Sequence, residues 1–124
     1  MNAGRELDAL VAEKVMGYYK ATPESIGRGV RCWNKEGDCA TTEFSPSTDI
    51  AAAWEVVEKL TKNLHEVKDG EWVLDRLGYL DGQYRCWFAM NVSDDVRWDI
   101  FAEADTAPLA ICLAALKAVG HDPA

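Results

Sequence analysis

Two capped apolar segments stand on either side of a strand-rich middle, and this arrangement restricts the folds open to the chain. The first is Ser47-Thr48-Asp49 followed by residues 50–60, and the second is Ala104-Asp105-Thr106-Ala107-Pro108 followed by residues 109–120. In each, short polar residues able to accept hydrogen bonds from the first free N–H groups precede an apolar run at helical spacing. Ser47 or Thr48 is the expected cap of the first, with Asp49 in its first turn. Ile50, Ala53, Trp54, Val57, Leu60 and Leu64 form its expected buried stripe, while Glu55–Lys59 and Glu58–Lys62 pair on the wet side. Asp105 or Thr106 caps the second, Pro108 suits its first turn, and Gly120 stops it. No charged residue occurs from Ala107 to Leu116. A helix apolar all round is buried on more than one side, either centrally or at a subunit interface. The interface is the expectation here.

Two further regions complete the pattern. Leu7, Leu10, Val11, Val15 and Tyr18 recur at helical spacing, with Glu6, Asp8, Glu13 and Lys14 on the opposite side. They predict a first helix over residues 4–19, ended by Thr22-Pro23. A short strand is expected over residues 30–33, followed by an irregular polar stretch to Pro46. From residue 66 the period switches to two. Asp69-Gly70, Asp81-Gly82 and Ser93-Asp94-Asp95 are turn signals that bound strands at residues 72–80, 83–91 and 97–103. Short connections make these strands antiparallel. Tyr84, Cys86, Phe88 and Met90 share one face of the middle strand, and Arg85, Trp87 and Ala89 share the other. Both faces are apolar enough to need cover. The expected fold is therefore α+β: one domain over residues 1–124, a three-layer α/β/α sandwich of three helices around a mainly antiparallel sheet of about four strands.

Composition excludes several functions. The 124 residues carry 21 acidic and 13 basic side chains, a net charge of −8. An acidic surface repels phosphate polymers, so no nucleic-acid polymer is an expected partner, although two or three arginines suffice for a small anion. No apolar run is long enough to span a membrane, and the start lacks a basic region followed by an apolar one; no membrane association and a cytoplasmic location are expected. Cys86 and Cys112 lie in apolar runs and read as core residues. Cys32 and Cys39 flank a turn and could join across a hairpin, a rare bond in cytoplasm. With only His65 and His121 beside these cysteines, no metal site and no cofactor are expected.

Three segments in order resemble the phage ABA sandwich domain family: residues 4–17, Phe44 leading through Ser47-Thr48-Asp49 to Leu60, and residues 104–112. Ser45-Pro46 intervenes where the family is more compact. The resemblance implies a sandwich of helices around a sheet, a phage or prophage origin, and hence the cytoplasm of an infected bacterial cell. It brings no catalytic residues to carry over.

The expected ligand surface combines Arg28, Arg31 and Trp33 with Arg85 and Trp87. Guanidinium forks match phosphate or carboxylate, indole faces stack on bases or cations, and Gly27 and Gly29 let backbone N–H groups approach an anion. Paired with the phage-like context, this predicts a non-catalytic accessory protein. It would sequester a small, anionic, nucleotide-derived host immune signal in a pocket at the boundary of a homo-oligomer. The alternatives are a protein–protein module that inhibits a host or phage protein, and a small hydrolase. Catalysis would draw on Asp75, Asp99 or Glu103, or on a Cys–His pair. No motif marks catalytic residues.

Overall fold

The computed structural model of the chain describes residues 2–17, 32–33, 39–41, 44–61, 71–93 and 95–120. The described elements are α1 (Arg5–Lys14), β1 (Cys32–Trp33), β2 (Cys39–Thr41), α2 (Ile50–Thr61), β3 (Trp72–Leu80), β4 (Gln83–Ser93), β5 (Val96–Ala104) and α3 (Ala107–Ala118). Strands β3, β4 and β5 form an antiparallel sheet in chain order, and β1 pairs antiparallel with β2 as a separate ribbon. The fold is α+β as expected, but one sheet of about four strands becomes a three-stranded sheet and a ribbon.

Local chemistry fixes the hairpins. Asp81 and Gly82 both take positive φ (53° and 82°) between Leu80 and its partner Gln83. This mirror-image turn matches the twist of the strands it joins, and Asp-Gly is one of the few pairs that adopt it cheaply. β3 then runs regularly until Asp75, the extra residue between the pairs Leu74↔Phe88 and Arg76↔Trp87. Such a bulge bends its strand and re-aims the side chains beyond it.

The helices cover one face of this sheet. α3 packs on β4 and β5, α2 lies beside α3 and reaches β3, and α1 contacts α3. Together they seal Cys86, Phe88, Ala102 and Ala104 beneath Leu7, Val11, Val56, Val57, Ile111 and Leu116. Ala110, Ile111, Cys112, Ala114, Ala115 and Leu116 of α3 are all buried. Those six residues are taken up inside the chain, while Pro108, Leu109 and Leu113 remain partly exposed. Alanine at three of these six positions lets neighbouring backbones approach closely enough to close-pack. No described helix covers the opposite face, where Arg76, Trp87, Phe101 and Glu103 lie. The expected three layers are thus only roughly matched among the described residues.

Three local expectations change. Asp8, expected on the wet side of α1, is 4% exposed and accepts a hydrogen bond from Ser47 N at 2.8 Å. Ser47 Oγ in turn accepts from Gly4 N at 3.0 Å, so Ser47 ties the start of α1 to the approach to α2. Asp49 therefore does the capping of α2, accepting from Ala51 N at 3.1 Å. The buried stripe of α2 is Ala52, Ala53, Val56, Val57 and Thr61, which leaves Ile50 and Trp54 exposed. At α3, Thr106 Oγ1 accepts from Leu109 N at 3.3 Å and Gly120 takes a φ of 84° just beyond the end, as the sequence indicated. Among the described residues no helix is long and apolar enough to cross a membrane.

Candidate functional site

Alternation along β4 sends Arg85 and Trp87 to the face that the described helices leave open. Register then sets their neighbours: Gly78 and Glu103 flank Arg85, and Arg76 and Phe101 flank Trp87. Because Gly78 has no side chain, and a Cβ built there meets nothing within 4 Å, the sheet surface is open beside Arg85. The result is a cavity of about 290 Å³ lined by Arg76, Gly78, Tyr79, Leu80, Arg85 and Trp87.

The lining is cationic and aromatic. The Arg76 guanidinium carbon lies 4.6 Å from the centre of the Trp87 ring, held by attraction to the π face. Trp87 in turn meets Phe101 with ring centres 5.1 Å apart and planes at 47°, a tilted aromatic pair across strands. Arg85 Nε lies 2.9 Å from Glu103 Oε1 and is itself withdrawn from solvent. Its N–H is not directed at that oxygen, so charge attraction stands there without a hydrogen bond. The cavity lining itself carries two guanidinium groups and no carboxylate, on a protein of net charge −8.

Beside the cavity, Arg97 Nε contacts Asp99 Oδ1 at 3.0 Å and its NH2 group contacts Asp75 Oδ1 at 3.0 Å. Those hydrogen bonds, to Asp99 first and then Asp75, raise the proton affinity of Arg97 above its ordinary value. To reach β3 from β5 this side chain crosses β4, and Ala89, small enough to pass beneath it, is 2% exposed. Asp75, Asp99 and Glu103, considered above as acid–base groups, therefore each contact a guanidinium.

Of the five expected ligand residues, Arg85 and Trp87 come together around this cavity. The side chains of Arg28, Arg31 and Trp33 lie outside the described residues, as do His65 and His121. The side chains of Cys32 and Cys39 also lie outside them, although the ribbon pairs Trp33 with Cys39 and Cys32 with Thr41. Arg76 and Gly78 were missed. The signal for Arg76 was its place one residue past an acidic bulge, which moves it into line with Trp87. Cys86 and Cys112 are buried and free, and burial pushes the Cys86 thiol up to about 12 and Cys112 upward as well. Neither is a thiolate at neutral pH, so neither can serve as a nucleophile. Among the described residues no cluster of His, Cys, Asp or Glu could hold a metal ion.

Known proteins resemble this chain in sequence and in shape. A crystal structure of a phage protein from Bacillus cereus ATCC 14579 superposes with a TM-score of 0.59 at 23% identity, covering 97% of this chain and 90% of that one. At that identity the likeness establishes a shared fold. A comparison with curated proteins finds no match. Residues 9–116 match the sequence pattern of the phage ABA sandwich domain, from α1 through the sheet to α3, and the chain belongs to that family.

Proposed function

We propose that this phage protein captures a small nucleotide-derived ligand on the open sheet face, without chemistry, and so removes a host signal from circulation. The observation that carries this proposal is the convergence of Arg76, Arg85 and Trp87 on one cavity. Arg85 lines the cavity, and the terminal NH2 groups of its guanidinium can donate to a phosphate oxygen. Arg76 is exposed above Trp87, so its guanidinium plane presents a second face on which a flat base stacks. Glu103 beside Arg85 repels a second phosphate but accepts from sugar hydroxyls or an exocyclic amine. At about 290 Å³ the cavity is at the small end of ligand sites, suited to one base and one phosphate.

Calorimetry and thermal shift against cyclic mononucleotides, cyclic dinucleotides and ADP-ribose derivatives test this directly. Binding by a member of the panel should disappear in Gly78→Leu, whose Cβ meets nothing within 4 Å and whose remaining atoms would occupy the cavity. Extended backbone tolerates leucine better than glycine, so that variant should fold at least as stably as the parent. No binding across the panel would end the proposal. Recovery of one stoichiometric host protein, unaffected by nucleotides, would replace it with the protein–protein alternative, for which exposed Trp98 and Tyr79 supply contact surface.

A further inference from the structure

The two edges of the sheet are built differently. β3 is broken by the Asp75 bulge, a device that disrupts an edge as a template for further strands. β5 runs nine residues without a bulge of its own, and β4 is its neighbour on one side alone among the described strands. Val96, Trp98 and Phe101 along it are exposed, Trp98 at 57% and Phe101 at 43%. A long, regular, apolar free edge is a site for pairing with another strand.

Hydrogen-bond parity says which groups are free. In a two-residue hairpin the flanking residues, here Leu80 and Gln83, bond to each other. Alternation then turns the backbone groups of Tyr84, Cys86, Phe88 and Met90 toward β5, where they meet Ala104, Ala102, Ile100 and Trp98. The N–H and C=O groups of Arg97, Asp99, Phe101 and Glu103 are left pointing outward. Lys117 Nζ, 3.2 Å from Phe101 O, sits where an outward carbonyl would be found.

We propose that this edge pairs antiparallel with the same edge of a second copy, about a two-fold axis at Ile100. Ile100 is the midpoint of β5, so this register overlaps all nine residues. It also sets Arg97 opposite Glu103 twice, Trp98 opposite the small Ala102, and Asp99 opposite Phe101. Moving by two residues one way opposes Asp99 to Asp99, and the other way opposes Asp99 to Glu103, both like-charge pairs that oppose pairing. Length and charge therefore select the same register. Arg97 and Glu103 already have partners in their own chain but are half-exposed, with donors and acceptors to spare. The N–H of Asp99 from the second copy takes the place of Lys117 on Phe101 O. Two three-stranded sheets become one of six strands. The ligand proposal does not depend on this.

Sedimentation velocity on the full chain across micromolar concentrations should show a reversible monomer–dimer equilibrium. Arg97→Glu and Glu103→Arg should each weaken the dimer about tenfold. The double swap should restore it, although the swap leaves the pairs within each chain broken. Circular dichroism verifies that the variants fold. Independently, Ile100→Cys should form a disulfide-linked dimer under mild oxidation, because the two cysteines face each other across the axis. Asp99→Cys should not, being offset beyond disulfide reach. A chain that stays monomeric at hundred-micromolar concentration overturns the proposal. So does a dimer indifferent to the charge changes whose Ile100→Cys form links no faster than Asp99→Cys.

Discussion

The two faces of one sheet solve the same burial problem by different means. On the helix side, Cys86, Phe88, Ala102 and Ala104 are sealed in an apolar core under α2 and α3. On the open side, Trp87 is covered by a guanidinium at 4.6 Å and a neighbouring ring at 5.1 Å, while Ala89 lies beneath the Arg97 bridge. Arginine is suited to this because its planar, weakly hydrated head covers apolar surface and still faces water. Among the described residues, a canopy of side chains lies where a second helical layer was expected. The lesson is that apolar residues on both faces of a strand demand cover without specifying a helix.

Adjacent residues of β4 give the sharpest contrast. Phe88 is fully buried, and Phe88→Ala should cost about 3–5 kcal/mol, the largest effect expected here, read from urea denaturation. A loss below about 1 kcal/mol would mean that the helix side is not close-packed, and the distinction between the faces would fail.

How far the sequence revealed this depends on which physical rule governs each residue. Strand limits, the Asp81-Gly82 turn and the Thr106 cap rest on local chemistry and came within a few residues. Alternation placed Arg85 and Trp87 on one face. Asp8 was misplaced because helical periodicity treats a carboxylate as a solvent-facing group, whereas a partner 39 residues away holds it inside. Trp54 was misplaced because the expected stripe was rotated to one side: the buried arc of α2 takes in Ala52 and Val56 beside Ala53 and Val57, and turns Trp54 outward. Arg76 could not be aligned with Trp87 without the Asp75 bulge, and a one-residue register shift leaves no periodic trace.

Asp8 tests the helix side next. Asp8→Ala leaves the buried Ser47 N–H without its acceptor and should cost about 1–3 kcal/mol. Asp8→Asn keeps an acceptor and removes the charge. Burial raises the Asp8 pKa above 3.8, and the hydrogen bonds from Ser47 offset this only partly. The folded state therefore holds the proton more tightly than the unfolded chain. This contribution to stability is complete below the unfolded value and is lost as pH rises through the folded one. Measured from pH 3 to 7, the melting temperature of the parent should fall relative to that of Asp8→Asn. The opposite slope would show that the Ser47 bonds outweigh burial.

Trp87→Ala should have a smaller effect on folding, about 1–2 kcal/mol for the lost ring pair and cation contact. If the open face is the binding face, the same substitution should abolish the nucleotide-dependent thermal shift. Stability and binding would then be carried by alternate residues of one strand. A Trp87→Ala chain as unstable as Phe88→Ala would erase the difference between the faces.

Arg97 makes the smallest prediction and the most exacting one. Its guanidinium is solvent-exposed, and exposed ion pairs gain little because water and salt already screen them. Arg97→Ala should therefore leave the urea midpoint at physiological salt where it was, even though Asp75 and Asp99 lose their shared partner. At low salt a small loss should emerge from repulsion between the two carboxylates, and added salt should remove it. If the midpoint fell as far as in Asp8→Ala, regardless of salt, Arg97 would be acting as a structural cover for Ala89. The canopy would then be a true third layer in energetic terms, and the open face could not be spared from folding to serve a ligand.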